Sequence, residues 1–215
     1  MGLSPAWFLT SSQRVSGGLI ILSMFKVPYY KADIARWADH KEDVMSQLHE
    51  NLSGYLKESE GMTSFHSTSR DPELSKELFK PFLEFIALDL DQARAMEGMA
   101  GGYPMPDISA IWYQSYTRNQ HHELHNHGPI GWSAIFYAIF DKEEHRSTTF
   151  YAPFADVAGE LLKVEPEVDE GTLLIFPSSL YHEAKLSTSD KQRAIISFNM
   201  FPKQFENVWG VPVKN

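Results

Sequence analysis

The sequence predicts a mainly β domain, a sandwich or barrel of short strands with two amphipathic helices ahead of it packed on one sheet face. Three observations carry this. The breaker cluster Gly98 to Pro106 (GMAGGYPMP) separates a first half whose apolar residues recur every three or four positions from a second half in which they alternate. Beyond the cluster, short runs rich in β-branched and aromatic residues follow one another between Gly, Pro, Asp and Lys turns. Before it, two helical stripes each carry an apolar face that must be buried, and a sheet face can cover both.

Met24 to Tyr30 (MFKVPYY) reads as a strand, which Pro28 confines to an edge. Ile34, Trp37, Val44, Leu48, Leu52 and Leu56 mark an amphipathic helix from about Asp33 to Leu56, with Gly54 near its end. Gly61 to Arg70 is a Ser/Thr-rich loop. Asp71-Pro72-Glu73 then supplies an N-cap, a first-turn proline and a first-turn acid. The second helix starts there, buries Leu74, Leu78, Phe82, Phe85 and Ile86, is kinked or split by Pro81, and runs out before Gly98. The expected strands are Ser109 to Tyr116, Trp132 to Phe140, Thr148 to Tyr151, Leu161 to Val164, Thr172 to Phe176 and Arg193 to Phe201. No repeat or long linker interrupts them, so residues 25–215 form one domain behind a loose extension, residues 1–24.

A chain of 215 residues with 43% hydrophobic and 13% aromatic residues can pack a sizeable core. Its 28 acidic against 19 basic residues give a net charge of -9, which disfavours a general grip on nucleic acid or anionic lipid. With no cysteine, any metal must be held by imidazole, carboxylate or water. The apolar run Leu19 to Met24 is too short to span a bilayer and has no basic segment before it, and Ala6 breaks the pattern that would make Gly2 a myristoylation site. A cytoplasmic protein without a membrane partner is the expectation; oligomeric state is left open.

Histidines single out the functional region. The stretch HHELHNH holds four of the nine, and His125 and His127 stand two apart, so an extended backbone points both imidazoles the same way. His182 follows an apolar strand and a Pro-Ser-Ser turn, at a strand end where a sheet could deliver a third ligand. Each feature alone also suits a solvated loop or a packed core position; their order gives them weight. Arg193 comes eleven residues after His182 and opens another strand, where Arg193, Ile195, Ser197 and Asn199 share one face and Ala194, Ile196, Phe198 and Met200 the other. A guanidinium with a hydroxyl and an amide on its own face is suited to clamp a carboxylate.

At HNHGPIGWSAIFYAIF, GTLLIFPSSLYHE and RAIISFN the sequence resembles the Fe(II)- and 2-oxoglutarate-dependent oxygenases of the prolyl-hydroxylase-like double-stranded β-helix superfamily. The likeness covers roughly Trp112 to Phe201. It implies a double-stranded β-helix (jelly-roll) core and a hydroxylase using Fe(II), 2-oxoglutarate and O2 that releases succinate and CO2. It also implies metal ligands His125, His127 and His182, and a cosubstrate site at Arg193, aided by Ser197 and Tyr137, with Tyr113 or Tyr116 nearer the metal. His127 stands where that superfamily usually has an acid, which leaves the centre one charge more positive; Glu123 is the substitute carboxylate. Trp132 is expected to wall the substrate pocket or pack between sheets, and His121 and His122 to lie behind the ligands or in solvent. The prime substrate, a small molecule or peptide, is not readable. Two other readings fit three histidines: a cupin-like dioxygenase or zinc hydrolase without 2-oxoglutarate, and a non-catalytic jelly-roll module.

Overall fold

The computed structural model describes residues 4–5, 27, 29–58, 63–66, 72–99 and 105–201. In chain order these form β1 (Ser4–Pro5), β2 (Tyr30–Asp33), α1 (Trp37–Leu52), β3 (Lys57–Glu58), β4 (Thr63–His66), α2 (Pro72–Leu78) and α3 (Lys80–Met99). The second half follows as β5 (Ala110–Tyr116), β6 (His122–His125), β7 (Trp132–Ile139), β8 (Thr149–Ala155), β9 (Leu161–Val164), β10 (Thr172–Pro177), β11 (Tyr181–Ala184) and β12 (Arg193–Met200). Apart from β1, residues 1–24 lie outside the described residues.

The strands make two antiparallel sheets, ordered β1-β2-β10-β7-β12-β5-β4-β3 and β6-β11-β8-β9. In the large sheet β12 is buried along its whole length, with β5 on one side and β7 on the other. Its two faces serve two cores, as the alternation from Arg193 to Met200 requires. Ala194, Ile196, Phe198 and Met200 join Phe136 of β7 and Ile175 of β10 against Trp37, Leu48 and Leu52 of α1 and Phe82 and Ile86 of α3. Phe136 meets Trp37 edge-on at 4.9 Å and Phe82 at 5.2 Å, and each fully buried ring contributes roughly 1.5–3 kcal/mol over exposure. Ile195 on the opposite face joins Tyr116, Ile135, Tyr137, Leu174 and Phe176 against Phe150 and Ala184 of the small sheet. That second core is the interior between the sheets.

The helices cover the face assigned to them, with corrections to their limits. The first helix begins at Trp37, not Asp33, because Tyr30–Asp33 pairs with Thr172–Ile175 of β10. Ladder hydrogen bonds outweigh helical periodicity there; of the strand expected over Met24 to Tyr30, residues 24–26 and 28 lie outside the described residues. Gly171 sets the junction: its φ of +83° suits glycine, its carbonyl accepts from Ile34 N at 3.0 Å, and a Cβ would come 2.9 Å from that of Trp37. Pro81 splits the second helical stretch, since α2 ends at Leu78 and α3 starts at Lys80, where a proline in the first turn loses no helical bond. Arg36 donates to both carboxylate oxygens of Asp89 and ties the start of α1 to α3. Gly61 to Arg70 is not all loop, because β4 extends the large sheet beyond β5. Among the described residues no helix is long and apolar enough to cross a membrane.

Candidate metal centre

His125 ends β6 and His182 lies inside β11, where the two are register partners across the small sheet. The turn and strand end expected at His182 are thus followed at once by another strand, too short and polar to show as a pattern. His127 is two residues past the end of β6, and its backbone N–H donates to Ser178 O at 2.9 Å. Ser178 is fixed in turn, its hydroxyl 2.9 Å from that of Ser133, which donates to Asn199 Oδ1 at 2.8 Å. The loop after β10 therefore pins the loop after β6. One nitrogen from each of His125, His127 and His182 lies within 4.8 Å of the others, and the ring centroids are 4.4–5.1 Å apart.

Backbone carbonyls orient two of the imidazoles. Nδ1 of His125 lies 2.7 Å from Glu123 O and Nδ1 of His182 2.9 Å from Leu180 O. A carbonyl only accepts, so each Nδ1 carries a proton, and Nε2 is the nitrogen of each ring that a metal can take. Burial pushes the His182 imidazole down to about 4, against the pull of the Leu180 carbonyl and with help from His125. Phe176 and Phe150 wall its ring at 5.0 and 5.7 Å, and Trp112 stands 5.2 Å from the His127 ring.

At the other end of the same interior, the Arg193 side chain is buried at 4% exposure. Its Nη2 donates to Thr148 Oγ1 at 3.3 Å, while Nε has no hydrogen-bond partner. Among the described residues no carboxylate pairs with it. The guanidinium carbon lies 5.2 Å from the Tyr116 ring and 5.7 Å from that of Tyr137. The Tyr116 hydroxyl is also buried without a partner, and burial pushes its phenol up. Tyr137 donates to Thr148 Oγ1 at 3.0 Å and receives the Thr148 N–H at 3.1 Å. Leaving a guanidinium out of water and unpaired costs several kcal/mol, which a bound anion offsets.

Several sequence expectations change on this framework. Tyr113 lies on the helix-facing side of β5, in the first core, with its hydroxyl 3.4 Å from His49 Nε2; Tyr116 is the β5 tyrosine beside Arg193. Ser197 shares the face of Arg193 but pairs in register with Trp112, four residues along the strand, or about 13 Å at roughly 3.3 Å per residue. Trp132 packs against Tyr30 in the helix-facing core rather than walling a pocket. The Glu123 side chain is exposed, and only its carbonyl reaches the centre. Thr148, Trp112 and Gln114 went unnoticed because nothing in an alternating strand distinguishes a polar or aromatic residue facing an interior from one facing a helix layer.

Three convergent imidazoles with a guanidinium and a phenol left unsatisfied in one apolar interior fit an open metal site with a carboxylate cosubstrate, and mark a double-stranded β-helix metalloenzyme. Residues 110–199 match the family model described as "Putative 2OG-Fe(II) oxygenase". The match and the shared fold support a 2-oxoglutarate- and Fe(II)-dependent oxygenase, with Fe(II), 2-oxoglutarate and O2 as cofactor and cosubstrates. Solved structures agree in fold. A prolyl-4-hydroxylase from Pseudomonas putida is 13% identical with a TM-score of 0.57, over 81% of this chain and 92% of that one. A prolyl hydroxylase from Trichoplax adhaerens, in complex with a hypoxia-inducible-factor peptide fragment, is 14% identical with a TM-score of 0.58, over 85% and 87%. The carbocyclase SnoK of nogalamycin biosynthesis is 14% identical with a TM-score of 0.56, over 87% and 89%. Among curated proteins none matches the sequence.

Proposed function

We propose that His125, His127 and His182 hold Fe(II), that Arg193 takes the far carboxylate of 2-oxoglutarate, and that the enzyme hydroxylates a small-molecule or peptide substrate with release of succinate and CO2. The observation that carries this reading is the buried, unpaired Nε of Arg193 in the interior that also holds the three histidines. A zinc hydrolase or a cupin-like dioxygenase needs no carboxylate clamp, and a binding module needs neither feature. Bound Fe(II) and 2-oxoglutarate supply the activation of O2 that oxidises a C–H bond.

The chain's own groups bind, orient and exclude. Glu123 O and Leu180 O hold the Nδ1 protons of His125 and His182, which orients both rings and leaves Nε2 of each as the nitrogen open to a metal. Arg193 fixes one end of the cosubstrate by charge-assisted hydrogen bonds, with Tyr116 offering its hydroxyl and Tyr137 holding Thr148 in place. Phe150, Phe176, Ile135, Leu174 and Ile195 keep the space between apolar, which strengthens those contacts and keeps water from the oxidant.

Two measurements test the reading. Anaerobic addition of Fe(II) and 2-oxoglutarate is expected to give the visible charge-transfer band of a chelated keto acid, and no band at saturating cosubstrate sinks it. Incubation with Fe(II), 2-oxoglutarate, O2 and a host-cell extract is expected to add one oxygen to a specific component. Cosubstrate turnover that yields a rearranged product without added oxygen overturns hydroxylation while leaving the oxygenase class in place.

A further inference from the structure

Among the described residues β6 is an edge strand of the small sheet, so the ligand histidine it carries has one neighbouring strand, β11. The pairing of this strand is irregular. His125 is opposite His182 and His122 opposite Ala184, so three steps along β6 match two along β11. One extra residue is accommodated as a bulge. In a regular strand, side chains three apart point to opposite faces. Here the bulge turns His122 back, and its ring lies over that of His125, with centroids 4.0 Å apart and planes 32° from parallel.

His122 is itself anchored. Gln114, in the middle of β5 and 3% exposed, places its amide nitrogen 3.2 Å from His122 Nδ1. Gln114 is the register partner of Ile195, so it faces the interior between Trp112 near His127 and Tyr116 beside Arg193. An amide N–H donating to Nδ1 makes that nitrogen the acceptor and leaves the His122 proton on Nε2. His125 is thereby held at its edge by Glu123 O and over its face by His122. His182, by contrast, is walled by phenylalanines within the sheet.

We infer that the β6 bulge and the Gln114 amide make His122 a positioning residue, a ring that fixes the orientation of His125 from the open side of the edge strand. The inference rests on the metal-centre reading above. It predicts an effect on metal binding and ligand field that simple structural support does not give. Outer partners of metal ligands typically change affinity by 10–100-fold.

The test titrates Co(II), as a spectroscopic probe, into the full metal-free chain, recording the visible d–d spectrum and the affinity, with a thermal melt of each metal-free variant. His122→Ala and Gln114→Leu are each expected to weaken Co(II) binding about tenfold or more and to shift the d–d bands, with melting temperatures near wild type. His122→Phe, which keeps a flat ring over His125, is expected to recover most of the affinity. Should Gln114→Leu fold poorly, Gln114→Asn keeps the amide and shortens its reach, and the same shift is expected. Unchanged affinity and spectrum in the His122 and Gln114 variants overturn the inference while leaving the metal centre standing. Failure of the wild type to bind Co(II) overturns the metal centre itself.

Discussion

Two kinds of side chain define the site, and their substitutions should separate. Among the described residues Arg193 is the only buried lysine or arginine, and Arg193→Ala removes none of the proposed metal ligands, so it is expected to raise the 2-oxoglutarate requirement by one to two orders of magnitude, as for loss of a charge-assisted pair, while iron binding persists. His182→Ala is expected to lose iron. Metal analysis of both purified variants checks this, and equal iron retention removes His182 from the ligand set. Residue spacing alone revealed His125, His127 and His182 as a set, and the alternation of β12 put Arg193, Ser197 and Asn199 on one face. The choice between Tyr113 and Tyr116 was not legible, because β5 is buried on both sides and a strand buried on both faces has no polar side to orient it. Trp132 was ambiguous for the same reason, since β7 is buried on both faces too.

Among the elements, the small sheet carries His125 and His182 and the large sheet carries Arg193, so the junctions that fix the large sheet matter to the proposed site. Gly171 is one, with its N–H on Tyr137 O at 2.8 Å and its carbonyl on Ile34 N. Gly171→Ala forces a left-handed backbone on alanine and a Cβ against Trp37, and is expected to cost about 2 kcal/mol or more. Denaturant unfolding measures it, and a change under about 0.5 kcal/mol, the range of neutral surface substitutions, would contradict the packing described. Gly131 plays a similar part beside the proposed metal ligands, with φ of +89° and the Met200 carbonyl 2.8 Å from where a Cβ would stand. The long helices and strands were legible from periodicity and from Asp71-Pro72, Pro81 and Gly54. β4, β6 and β11, of four residues each, were not, because such short polar segments become strands only through the neighbours that complete their hydrogen bonds.

For the whole molecule, buried neutral imidazoles predict how stability follows pH. His145 accepts the Asp141 N–H at Nδ1, 3.0 Å away, and donates from Nε2 to Lys191 O at 3.2 Å, joining the loop after β7 to the segment leading into Arg193. Burial lowers its pKa below 6.5, with nearby Arg193 adding to this and Lys191 O, Asp141 and Glu144 opposing it. His182 is lowered further, to about 4. Both pKa values lie below the unfolded one, so the unfolded chain takes up protons first as pH falls. Stability of the metal-free protein is therefore complete above about 6.5 and declines below it, by up to about 3 kcal/mol through His182 by the time pH reaches 4. His145→Gln is expected to shrink the drop in melting temperature between pH 7.5 and 5.5, and an unchanged drop excludes the His145 contribution. The sequence by itself determined the class of fold, the stretches whose histidines converge and the guanidinium that faces inward, because periodicity and spacing are local properties that a strand converts directly into faces. Only the tertiary structure decided which tyrosine accompanies Arg193, where His182 sits and how a bulge lays His122 over His125, because these depend on register between strands far apart in the chain.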